Sequence, residues 1–172
     1  MKFTLNGRII AALLIFTFSF IAIPILMPAA MAEGSKEAAA STAPDFDLRN
    51  LNGTYVTLSQ FKGIKPVLIV FWATWCPYCR AEQPKLARLR QSIPRSKLAI
   101  LAVDVGSVDP LTRVKDYIKA NPVPYTVLYD AGSKVTRAYG VEGIPNIVLV
   151  DKNRVIKYQG SELPADPLSL VR

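Results

Sequence analysis

Val67-Leu68-Ile69-Val70-Phe71-Trp72-Ala73-Thr74-Trp75-Cys76-Pro77-Tyr78-Cys79 is the stretch that decides the fold of this chain. The unbroken apolar run 67–72 reads as a central β-strand covered on both faces. The Arg/Lys-rich stretch after Cys79 is helix-prone, so the strand turns at once into a helix and sets Cys76 at its N-terminus. Unpaired N–H groups and the helix dipole favour negative charge there. Thiolate is the nucleophile in disulfide exchange, so Cys76 is expected to be the exposed, reactive sulfur. Cys79 lies three residues on, on the same helical face and within reach, and is expected to be buried. Pro77 suits the first helical turn, where a missing N–H costs nothing. These are the only two cysteines, and they read as a reversible dithiol/disulfide centre.

Other uses of Cys-x-x-Cys fit less well. A structural zinc needs about four ligands, and the chain has no third Cys and no His. A passive staple across so short a loop removes little chain entropy. Two thiolates can bind Cu(I), though with no His to complete the site. The site is expected to need no cofactor and no metal, because the electrons reside in the cysteines.

The N-terminus says where this chemistry happens. Lys2 and Arg8 precede an uncharged stretch from Ile9 to Ala32 that ends Ala30-Met31-Ala32. A basic start, an apolar middle and a small-residue ending match a signal peptide over residues 1–32. Ile9 to Met27 also approaches the ~20 residues that span a bilayer, which keeps an N-terminal membrane anchor open. Either way the catalytic part is expected in the periplasm or on the outer face of the cytoplasmic membrane. The net charge of +8 is concentrated after the cysteines, in Arg80, Lys85, Arg88, Arg90, Arg95 and Lys97. This reads first as a solvated helix face, and no aromatic residues interleave the charges as a nucleic-acid site would require.

Residues 33–44 are rich in Ala and Ser and read as a flexible tether; a single domain is expected over 45–172. Phe46 to Leu58 reads as a hairpin about Asn52-Gly53. Pro77 to about Ile93 reads as a helix with Leu86, Leu89 and Ile93 at core spacing, and with Pro84 inside it. Leu98 to Val105 reads as a second central strand. Asp109-Pro110 starts a helix that Asn121-Pro122 stops. Thr126–Tyr129 reads as a strand, 133–139 as a short helix, and Ile147–Val150 with Val155–Tyr158 as a closing hairpin. This alternation predicts an α/β domain, a mixed central sheet with helices on both faces and an N-terminal β-hairpin extension.

Three stretches, APDFDLRNLNGTYVTLSQFKG (43–63), PVLIVFWATWCPYCRAEQPKL (66–86) and YGVEGIPNIVLVDKN (139–153), resemble the TlpA/ResA-like thioredoxins. These are exported thiol-disulfide oxidoreductases with a thioredoxin fold. Two features depart from the family. The chain stops soon after Pro167, where the family commonly adds a longer helix, and its Pro77-Tyr78 dipeptide is similar to that of glutaredoxins. A thiol peroxidase is disfavoured, since its Pro-x-x-x-Thr-x-x-Cys pattern would need Pro at Ile69 and Thr at Ala73.

The resemblance implies further roles. Pro145 matches the cis-proline that faces the cysteine pair, and the backbone of Ile144 would pair with a substrate strand. Glu82, one turn past Cys79, matches an acidic position suited to taking the Cys79 proton; the alternative is a surface ion pair with Lys85. Trp75, Pro77 and Tyr78 would contact cysteine-containing protein substrates. The expected function is a reductant of protein disulfides, recharged by a membrane electron-transfer protein, for example in cytochrome c or copper-site maturation. The alternatives are a disulfide-forming oxidant and a non-enzymatic copper or thiol carrier. A monomer is expected.

Overall fold

In a computed structural model, which describes residues 41–172, the stretch 67–72 is a strand with all six residues buried. Its position explains the burial. The strands are β1 (Asp47–Asn50), β2 (Tyr55–Thr57), β3 (Val67–Trp72), β4 (Ala99–Asp104), β5 (Thr126–Tyr129), β6 (Asn146–Val150) and β7 (Ile156–Gly160). They form one sheet in the order β2-β1-β5-β4-β3-β6-β7. The apolar runs β3 and β4 lie at the centre, paired in parallel from Val67–Ala99 to Trp72–Asp104. β5 continues the parallel block, while β6 flanks β3 in the antiparallel sense. At the edge, β7 alternates half-buried and exposed residues, as a strand with one solvated face should.

Three helices connect these strands: α1 (Pro77–Ser92), α2 (Leu111–Ala120) and α3 (Lys134–Ala138). Alternation of side chains along β3 separates them onto two faces. Trp72 packs on Tyr117 of α2, with ring centroids 5.7 Å apart, and Tyr117 donates a hydrogen bond to Gln83 of α1. Phe71 points the other way and packs on Tyr139, at the end of α3. The thioredoxin-like mixed sheet with helices on both faces is therefore observed.

The N-terminal hairpin turns where Asn52-Gly53 predicts. Gly53 adopts φ +89, and the Asn50 side chain accepts the N–H groups of Asn52 and Thr54. The pairing of β1 with β5 attaches this hairpin to the sheet.

Two expectations need correction. The proposed tether does not run to residue 44: Thr42 bridges Val155, and Ala43 is buried with its N–H on the Arg154 carbonyl. The expected signal peptide or anchor falls within residues 1–40, which lie outside the described residues. Arg90 is no solvated charge; it is buried and donates to the carbonyls of Leu98 and Ile93, beyond the C-terminal end of α1. Helix α2 begins at Leu111, directly after Asp109-Pro110 as expected, with no side-chain cap; the Asp109 carboxylate is used elsewhere. Among the described residues no helix is long and apolar enough to cross a membrane.

Candidate active site

Strand β3 delivers the chain into a tight turn in which the Cys76 N–H bonds the Ala73 carbonyl at 3.2 Å. Cys76 then takes the extended N-cap conformation, φ −82 and ψ 113, and Pro77 opens α1. The Cys76 sulfur accepts the backbone N–H of Cys79 at 3.2 Å, using one of the donors that a helix start leaves unpaired. Both cysteines are free thiols.

A second loop completes the centre. The Ile144–Pro145 peptide is cis, and the Ile144 carbonyl accepts from the Cys76 Sγ at 3.6 Å. Residues 68 apart in sequence thus meet at the Cys76 sulfur. Tyr78, Glu82, Ile144, Pro145, Asn146 and Glu162 line a single groove of about 490 Å³ beside it. Trp75 and Tyr78 stand on either side of Cys76 in the chain, 49 % and 75 % exposed. Trp72, by contrast, is buried in the core.

Exposure does not distinguish the two cysteines, contrary to expectation: each is only 3 % exposed. Their surroundings do distinguish them. Burial, and then the hydrogen bond with Cys76, push the Cys79 thiol far above the ordinary thiol range. Cys79 therefore keeps its proton, whereas Cys76 is the sulfur held at the helix N-terminus. Iodoacetamide added to the reduced protein is expected to modify Cys76 alone on the time scale of minutes, as peptide mapping would show. Equal labelling of both residues would overturn the division of roles.

Glu82 is buried rather than set on the surface, and it does pair with Lys85. Its carboxylate is buried, with Oε1 2.5 Å from the Lys85 ammonium. Oε2 is also buried and has no hydrogen-bond partner among the described residues.

Sequence reasoning missed one contact altogether. Asp109, fully buried, accepts the Thr74 N–H at 2.6 Å and the Thr74 hydroxyl at 2.8 Å. It thereby ties the loop before α2 to the turn that carries Cys76. The available signal, Asp before Pro, points equally to a helix start.

Fold and site together define a thioredoxin-like dithiol/disulfide centre. Residues 39–159 match the AhpC/TSA family, and the chain belongs to that family. Over 125 residues it is 35% identical to the thiol-disulfide oxidoreductase ResA of Geobacillus thermodenitrificans, covering 73% of this chain and 70% of the relative. It is 34% identical over 118 residues to ResA of Bacillus subtilis, covering 68% and 64% of the two chains. Among solved structures, the thioredoxin domain of a thiol-disulfide oxidoreductase from Bacteroides vulgatus matches with a TM-score of 0.65 at 29% identity, over 75% of this chain and 91% of that one. A Chlorobium tepidum protein described as a thiol:disulfide interchange protein DsbE matches with a TM-score of 0.66 at 30% identity, over 76% and 91%. The chain is accordingly a thioredoxin-like protein-disulfide oxidoreductase.

Proposed function

We propose that this protein works outside the cytoplasm as a reductant of disulfides in substrate proteins, with Cys76 as nucleophile and Cys79 as resolving thiol. The Cys76 thiolate attacks a substrate disulfide, forms a mixed disulfide and releases one substrate sulfur as a thiolate. Cys79 then gives up its proton and attacks the Cys76 sulfur. The second substrate sulfur leaves reduced, and a Cys76–Cys79 disulfide remains. Two electrons pass to the substrate in each cycle, and a membrane electron-transfer protein would restore them. Glu82 would receive the Cys79 proton at its unpartnered oxygen. Trp75, Pro77 and Tyr78 would contact the substrate, and the backbone of Ile144 beside Pro145 would hold its chain extended. Cytochrome c and copper-site cysteines are the substrate classes in view.

The observation that supports this direction of flow is the buried Cys79, which burial keeps protonated. Thiolate formation stabilises the reduced form of a dithiol and makes its disulfide more oxidising, and Cys79 adds no such thiolate. The resemblance to exported reductants points the same way.

Equilibration with a dithiol buffer tests this directly. The reduction potential is expected between about −270 mV, the thioredoxin value, and about −120 mV, that of a strong oxidant. A value more oxidising than the upper limit would overturn the reductant reading. Stoichiometric Cu(I) binding with negligible insulin reduction would replace it by a carrier.

A further inference from the structure

Three carboxyl groups are buried behind the cysteine turn, at most 1 % exposed: Asp104 at the end of β4, Asp109 before α2 and Asp130 after β5. Two of them are well supplied with donors. Asp130 accepts the N–H groups of Val135 and Thr136 and the Thr136 hydroxyl. Asp109 accepts both donors of Thr74, with the exposed Arg113 guanidinium 3.8 Å away. Asp104 has less. Its Oδ1 accepts the Gly106 N–H at 3.0 Å, and its Oδ2 has no partner among the described residues.

Buried carboxylates this close cannot all ionise at low cost when the nearest cation is on the surface. The proton settles on the group with the fewest donors, which is Asp104. Burial above all, and then the charges of Asp109 and Asp130, push Asp104 up to about 8, against the Gly106 N–H that favours its ionised form.

We propose that Asp104 and Asp109 are positioning residues for the nucleophile: the buried Asp109, with Asp104 behind it, fastens Thr74, and through Thr74 the turn that presents Cys76.

The surroundings make this fastening specific. Thr74 lies inside the turn closed by the Cys76 N–H on Ala73, so its orientation governs how Cys76 enters α1. The base is rigid on the other side. Gly106 has φ +59, and a Cβ there would lie 2.2 Å from the Asp130 carbonyl oxygen, so only glycine fits. The Asp130 N–H also bonds the Asp104 carbonyl at 3.0 Å. The charged groups acting on Asp104 are Asp109 from the loop before α2 and Asp130 from the β5 side, and Tyr129 of β5 stands in register beside it. From β3, Trp72 stands in register with it. When Asp104 ionises, repulsion between it and Asp109 weakens the hold on Thr74. Cys76 exchange is thereby coupled to a titration remote from either sulfur.

The inference rests on Cys76 being the reactive thiol, so one arm of its test does not use that sulfur. In the full-length Cys76→Ser protein, the Asp104 carboxyl carbon, followed by NMR, is expected to titrate near pH 8; titration below pH 5 would overturn the proposal. The second arm measures Cys76 alkylation from pH 5 to 10. The parent protein is expected to show an inflection near pH 8 besides that of Cys76 itself. Asp104→Asn, which keeps the shape and a donor, should lose that inflection while keeping the neutral rate. Thr74→Val should slow alkylation about tenfold through misplacement of the sulfur, and Thr74→Ser should restore it. An inflection that persists in Asp104→Asn, or a Thr74→Val protein with the parent profile, would overturn the proposal and return the acid pair to the core.

Discussion

Cys79→Ser is expected to stop turnover completely and leave substrate proteins joined to Cys76. The reaction divides into two displacements at neighbouring sulfurs, and serine abolishes only the second. The Cys79 backbone nitrogen lies 3.2 Å from the Cys76 sulfur, so the resolving residue adjoins the sulfur that it must attack. A serine hydroxyl in the same place is almost never ionised near neutral pH and does not attack sulfur at a useful rate. Mixed disulfides should therefore accumulate in cells, migrate as high-mass bands without reductant, and collapse when dithiothreitol is added. Mass spectrometry of those bands would name the substrates and the electron donor. Adducts formed on Cys79 in Cys76→Ser, in place of adducts on Cys76, would reverse the assignment of the two sulfurs.

Glu82→Gln should slow that second displacement by about 10²-fold, the usual contribution of a positioned general base. Cys79 is the harder of the two thiols to ionise, because its burial opposes the charge. Its proton needs an acceptor at the moment of attack. Glu82 lies one turn along the buried face of α1, with Oε2 free of any hydrogen bond among the described residues. Glutamine keeps the size and the contact with the groove but accepts no proton. Resolution of a preformed mixed disulfide should therefore slow. The first displacement, read as Cys76 alkylation, should be nearly unchanged. The Lys85 pairing alone predicts another outcome. A helical i,i+3 pair contributes a few tenths of a kcal/mol to stability and nothing to chemistry. Unaltered resolution in a folded Glu82→Gln protein would leave the residue with that structural role.

How well each feature could be read depends on how far its cause extends along the chain. The strand–turn–helix at 67–92, the Asn52-Gly53 turn and the strand Thr126–Tyr129 follow from neighbouring residues, through apolar runs, turn chemistry and proline placement. These are expected from the sequence and observed at nearly the same positions. Where the pattern is local but the partner is distant, the contact is not legible in the sequence. Arg90 follows the polar spacing of a surface residue, yet the carbonyls left free beyond the end of α1 draw its guanidinium inward. Asp109 stands before the helix that it is expected to start, and its carboxylate reaches back 35 residues to Thr74. Thr42 and Ala43 look like linker, yet they pair against Val155 and Arg154.

The sequence by itself determined the chemistry: two cysteines in one helical turn, after an apolar strand, with no histidine to direct them toward zinc. Their spacing and the helix start are local, and local forces suffice to create a dithiol centre. Only the tertiary structure decided how the two sulfurs differ and what surrounds them. The order of the central strands brings the cis Ile144–Pro145 ledge to Cys76 and gathers Asp104, Asp109 and Asp130 behind it. The same packing buries Cys79 until its thiol resists ionisation. Burial and like-charge proximity act through space, so residues far apart in the chain control the reactivity of a motif only four residues long.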